Sequence, residues 1–98
     1  MNEIRHELRQ IAGTIDPLPA NIDDLINDAI AGDTVCAMEL LALLLPGWGL
    51  DYTVNQPAGR FVARLYSPEG MTLDGYGSTF AMAVARAIIL AKASSQPM

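Results

Sequence analysis

Cysteine and histidine occur once each in this 98-residue chain, as Cys36 and His6. A lone cysteine excludes an intramolecular disulfide, and one cysteine with one histidine falls short of any zinc ligand set. No apolar run is long enough to span a bilayer, and the N-terminal MNEIRHELRQ carries charge where a secretory signal needs an apolar core. No internal repeat or low-complexity tract is present. Gly75-Tyr76-Gly77 is the nearest approach to a phosphate cradle, but no lysine follows it at phosphate-loop spacing. These absences leave no metal, cofactor or catalytic constellation to assign, and the expectation is a non-enzymatic, soluble, cytoplasmic protein. Cys36, inside an apolar stretch, fits a small buried hydrophobe of a reducing compartment.

What is present is apolar: 51% of residues are hydrophobic and 17% charged. That composition gives one globular domain over residues 1–93, with the polar tail 94–98 expected to fray. The net charge of −5 is unevenly spread. Residues 16–39 contain Asp16, Asp23, Asp24, Asp28, Asp33 and Glu39 with no lysine or arginine, while the rest of the chain is close to neutral. A pole this negative disfavours phosphate and favours a partner with a basic surface.

Asp33–Leu45 (DTVCAMELLALLL) is the most informative stretch, because after its opening aspartate it holds one charge, Glu39. Each of its leucines is worth roughly 1.5–3 kcal/mol when buried. The segment is therefore expected to be a helix walled off on all sides, between two layers of the fold or between two molecules.

Around it the periodicity gives three further helices. The first runs from about Asn2 to Ala12 with Ile4, Leu8 and Ile11 on one stripe, and Gly13 at its exit. Asp16-Pro17-Leu18-Pro19 reads as a rigid connector. Asn21 caps a second helix to about Ala31, with Ile22, Leu25, Ile26, Ala29 and Ile30 inward, and Asp23, Asp24, Asn27 and Asp28 outward. The last helix is capped by Ser78 or Thr79 and runs to about Ala91, burying Phe80, Val84, Ala87, Ile88 and Ala91.

From Trp48 the period falls to two. Closing the hairpin over residues 56–59 pairs Leu50 with Leu65, Tyr52 with Ala63 and Val54 with Phe61 on the inner face, and Asp51 with Arg64 on the outer face. A third strand, Met71 to about Asp74, follows a turn at residues 67–70 and sets Leu73 opposite Leu65, with Met71 and Leu73 inward. Gly75-Tyr76-Gly77 then reads as the turn into the last helix. The order is αααβββα, an α+β fold: N-terminal helices, a three-stranded antiparallel meander and a C-terminal helix. The two most apolar helices are expected on the inner sheet face, with the first two helices behind the third.

From about residue 40 to 92, the features Leu44-Leu45-Pro46-Gly47-Trp48, the Gly75–Ser78 turn and the Ala81–Ala87 run resemble small phage and prophage proteins of the α-β-α sandwich type. The resemblance implies a phage-encoded origin and carries over no assigned activity. The αβββα order is also similar to double-stranded RNA-binding domains, whose last helix opens with a serine followed by phosphate-binding lysines. With Thr79 at the serine position, those lysines fall on Phe80, Ala81 and Val84, all apolar.

Three surfaces emerge as candidate partner-binding sites. The acidic helix face carries Asp23, Asp24 and Asp28. The outer sheet face carries Arg60, Arg64 and Tyr66, and Met82 with Ile89 flanks Arg86 on the last helix. The leading expectation is a protein-interaction module, in a phage an accessory protein that occupies and inhibits a host protein or a defence complex such as a CRISPR effector. The alternatives are a homodimer and weak nucleic-acid binding through Arg60, Arg64 and Tyr66.

Overall fold

Seven elements follow one another in the computed structural model, which describes residues 2–13, 20–55 and 60–95. They are α1 (Asn2–Ala12), α2 (Ile22–Ile30), α3 (Thr34–Leu44), β1 (Gly49–Asn55), β2 (Arg60–Tyr66), β3 (Thr72–Gly77) and α4 (Phe80–Ser95). The α+β order αααβββα is the expected one. The connector at residues 16–19, the hairpin loop 56–59 and the tail 96–98 lie outside the described residues, and α4 reaches Ser95, past the point where fraying was expected.

The sheet has the order β1-β2-β3, antiparallel throughout. Its first register pairs Leu50 with Leu65, Asp51 with Arg64, Tyr52 with Ala63 and Val54 with Phe61, and its second pairs Leu65 with Leu73. Both are the registers that keep apolar side chains on one face. The second hairpin is closed by Ser67, whose N–H donates to the Met71 carbonyl at 2.8 Å and whose Oγ accepts from the Met71 N–H at 2.9 Å. Met71 itself was expected to point inward as part of β3. It lies in that loop instead and is exposed.

β3 is longer than expected. Gly75, Tyr76 and Gly77 are strand residues opposite Ala63, Val62 and Phe61, not a turn. The reason lies across the sheet. A Cβ on Gly75 would strike the Ala83 carbonyl oxygen and come within 2.5 Å of the Ala87 nitrogen, and one on Gly77 would sit 2.7 Å from the Ala83 nitrogen. The two glycines let the backbone of α4 settle directly on the sheet.

The helix enclosed by two layers is α4, not α3. α4 packs on β2 and β3 with one side and on α1, α2 and α3 with the other. Ala81 through Ala85, Ala87, Ile88 and Ala91 are all buried. Among the described elements α4 is the main cover of the inner sheet face, and α1 packs against α2 and α4. α3 lies in the outer helical layer: it buries Ala37, Leu40, Leu41 and Leu44 inward, yet leaves Val35 66% and Met38 49% exposed. The alanines of α4 explain the exchange, since small side chains allow close approach on both sides, whereas leucines hold neighbours at a distance.

Local signals hold elsewhere, with one exception. Asp33 caps α3, its carboxylate accepting from the Cys36 N–H at 3.1 Å, and Thr79 caps α4, its hydroxyl accepting from the Met82 N–H at 3.1 Å. Asn21 occupies the N-cap position of α2 without a side-chain cap bond.

Candidate functional site

Three faces of the molecule carry the residues singled out by the sequence. On the outer sheet face, Arg64 faces Asp51 on one side and Asp74 on the other. The expected Asp51–Arg64 ion pair does not form. Arg64 makes a two-pronged contact with Asp74 instead, at 2.7 Å from Nε and 3.1 Å from Nη2. Asp51 is taken by Tyr66, whose hydroxyl donates to Oδ2 at 3.2 Å. The Tyr66 ring runs over Gly49, where a Cβ would sit only 3.7 Å from Cδ2. Asp51, Tyr52, Val62, Arg64 and Tyr66 line a shallow depression of about 90 Å³. Two carboxylates therefore flank the Arg64 guanidinium, and Arg60 remains exposed beyond them.

The hydrogen bond from Arg64 holds the Asp74 carboxyl below its usual range, against partial burial that would raise it. A depressed folded-state pKa contributes stability that is present above the unfolded value, about 3.9 for aspartate, and is lost as pH falls through the folded value. Asp74→Asn should therefore lower Tm at pH 7, with the gap from the parent closing below pH 4. A gap that persists unchanged in acid would show that the pair contributes through packing alone.

Tyr52 was placed on the inner face, and its register agrees, but it is 63% exposed, on the edge strand away from β3, where α4 packs most closely. Its ring meets the Phe80 ring at the start of α4, centroids 4.5 Å apart. On α4, Met82 is 4% exposed and belongs to the core, so the expected Met82–Arg86–Ile89 surface patch loses its first member. Arg86 is exposed, Ile89 is half-buried, and the large apolar residue that reaches solvent beside them is Leu90, with Ala93 a turn further on.

The third face is built by α2 and α3. Asp23, Asp24 and Asp28 are all exposed, but Asp23 is ion-paired to Arg9 of α1, which also lines an open depression with Arg5, His6 and Gln10. Asp24 and Asp28 keep the acidic character of the helix. The turn between the helices, where the Asp33 N–H donates to the Asp28 carbonyl at 2.9 Å, brings both side chains to Cys36. The Cys36 sulfur is 3.9 Å from an Asp28 carboxylate oxygen, and Asp33 holds the Cys36 N–H. Burial, followed by the carboxylates of Asp33, Asp28 and Glu39, pushes the Cys36 thiol up from its ordinary value. Beside this acidic group lie Val35, Met38 and Ala42, all exposed on the same side of α3 as Glu39.

Val35 and Met38 were assigned to the interior by sequence reasoning. Glu39, the single charge within the helix, marks their face, since positions 35 and 42 are its neighbours at helical spacing and 38 stands one turn from both. Among the described residues, no three His, Cys, Asp or Glu side chains gather as a metal ion requires, and no helix is long and apolar enough to cross a membrane. Fold and surface together define a small α+β protein with an acidic, partly apolar two-helix face. Comparison with known proteins found no matching family, no matching curated protein and no matching solved structure.

Proposed function

We propose that the protein is a non-enzymatic interaction module that docks on a protein partner with a basic surface through the α2–α3 face. The observation that carries this is the exposure of Val35 and Met38 within a group of carboxylates, Asp28, Asp33 and Glu39, in a stretch with no lysine or arginine. Apolar side chains left in water beside charge of one sign supply both terms of association. The apolar atoms contribute affinity on burial, and the charge steers a complementary partner and rejects a like-charged one. In a phage setting, the module would act by occupying a basic groove of a host protein or defence complex such as a CRISPR effector.

The test is capture from a host lysate with the parent chain and with Asp24→Lys/Asp28→Lys. A partner retained by the parent at low salt, weakened as salt rises and lost on charge reversal is the expected result, because exposed charges are screened over about 10 Å at 0.1 M salt. Recovery of nothing above background, or a partner indifferent to the reversal, would remove this function.

A further inference from the structure

The exposed positions Val35, Met38 and Ala42 follow one another at intervals of three and four residues on one side of α3. Along the helix axis those intervals are about 4.5 and 6 Å, a mean close to the 5.4 Å turn of a second α-helix. Same-face residues of a strand repeat at about 6.6–6.8 Å and would fall out of step within the length of the stripe. The stripe is one side chain wide, the footprint of a helix laid alongside and not of a flat surface. Ala42 at one end permits closer approach than Met38 does. Charge is unequal along the stripe: Asp28 and Asp33 gather at the Val35 end, as their contacts with Cys36 show, and Glu39 lies one turn from both Val35 and Ala42.

We propose that this stripe receives one amphipathic helix of a partner protein, its apolar ridge seated on Val35, Met38 and Ala42 and its lysines and arginines turned to Asp28, Asp33 and Glu39. The proposal rests on the α2–α3 face being the docking surface, and adds the shape and polarity of what docks there. The more basic end of the partner helix lies over the N-terminal end of α3. Its contacts are an apolar seam with a charged border, the arrangement by which grooves select helices at i, i+3, i+4 and i+7.

Fluorescence anisotropy of two labelled Leu/Lys peptides of about 14 residues, long enough to cover the stripe at 1.5 Å per residue, tests this on the full chain. One peptide places leucine at i, i+3, i+4 and i+7; the other has the same composition scrambled so that no apolar face forms. The amphipathic peptide should bind more tightly by about tenfold, the worth of one further buried methyl or two. Val35→Ser/Met38→Ser should abolish that preference while leaving the scrambled peptide unchanged, and Asp28→Asn/Glu39→Gln should weaken both at low salt. Circular dichroism checks that each variant is folded. Equal binding of the two peptides, or a preference that survives Val35→Ser/Met38→Ser, overturns the helix inference while leaving a basic partner in place. Failure of both peptides to bind at low salt overturns the inference and the docking surface together.

Discussion

Replacing Gly75 with alanine is expected to destabilise the fold by about 3 kcal/mol, the upper part of the range for overpacking a closed core. The new Cβ would meet the Ala83 carbonyl oxygen, the Ala87 nitrogen at 2.5 Å and the Ala87 Cβ at 2.7 Å. Two of those three atoms are backbone of a helix that is itself held from the other side, so no rotamer change relieves the contact. Either α4 lifts off the sheet or the strand bends, and both moves open the core around Ala63, Val84 and Ile88. Each kcal/mol shifts Tm by about 4–8 °C in a domain of this size, so a fall of about 12–24 °C should follow. Gly70→Ala is the informative comparison. Gly70 has φ +96° but nothing within 4 Å of an added Cβ, so its cost is backbone strain alone, about 1–2 kcal/mol. Urea denaturation giving the same loss for both variants would show that the close seat of α4 on β3 contributes nothing.

The second large effect belongs to Ile88. It is fully buried in the helix that both layers enclose, and truncation to alanine removes methyl and methylene groups that the surroundings cannot replace. The expected loss is about 2–5 kcal/mol. Val35→Ser and Met38→Ser on α3 should by contrast stay within about 0.5 kcal/mol, as exposed substitutions do. Denaturation midpoints for these variants distinguish the two candidate central helices directly. A costly Met38→Ser beside a mild Ile88→Ala would place α3, not α4, between the layers.

Why the sequence suggested the opposite can be traced to particular side chains. Leucines attract attention because each contributes more on burial than an alanine, and α3 holds the leucines. Burial of a helix on two sides depends on how closely neighbours can approach, however, and there Ala83 and Ala87 of α4, seated on Gly75 and Gly77, with Ala81 and Ala85 buried as well, outweigh the greater area of leucine. Four leucines of the Asp33–Leu45 segment are indeed buried, Leu40, Leu41, Leu44 and Leu45, and Leu43 half so. They lie on the inward side with Ala37, and Val35, Met38 and Ala42 share the outward side with Glu39.

The candidate site was legible to a similar depth. Asp24 and Asp28 could be placed on an exposed helix face from period alone. The apolar half of the same surface could not, since exposure of Val35 and Met38 follows from where α2 and α4 sit. On the sheet, the two registers already brought both Asp51 and Asp74 opposite Arg64. Which carboxylate takes the guanidinium depended on Tyr66, whose hydroxyl reaches Asp51 and leaves Asp74 to the arginine. Sequence carries no signal for that choice, because it turns on rotamers across three strands.

The chain by itself determined the elements, their order and the pairing of the three strands as far as Asp74. Those follow from periods of 3.6 and 2, caps and turns, each written within a few residues. Only the tertiary structure decided which helix lies in the middle, why Gly75 and Gly77 are glycines, and which apolar side chains are left outside. Those outcomes depend on the distance of closest approach between elements far apart in sequence, set jointly by both surfaces.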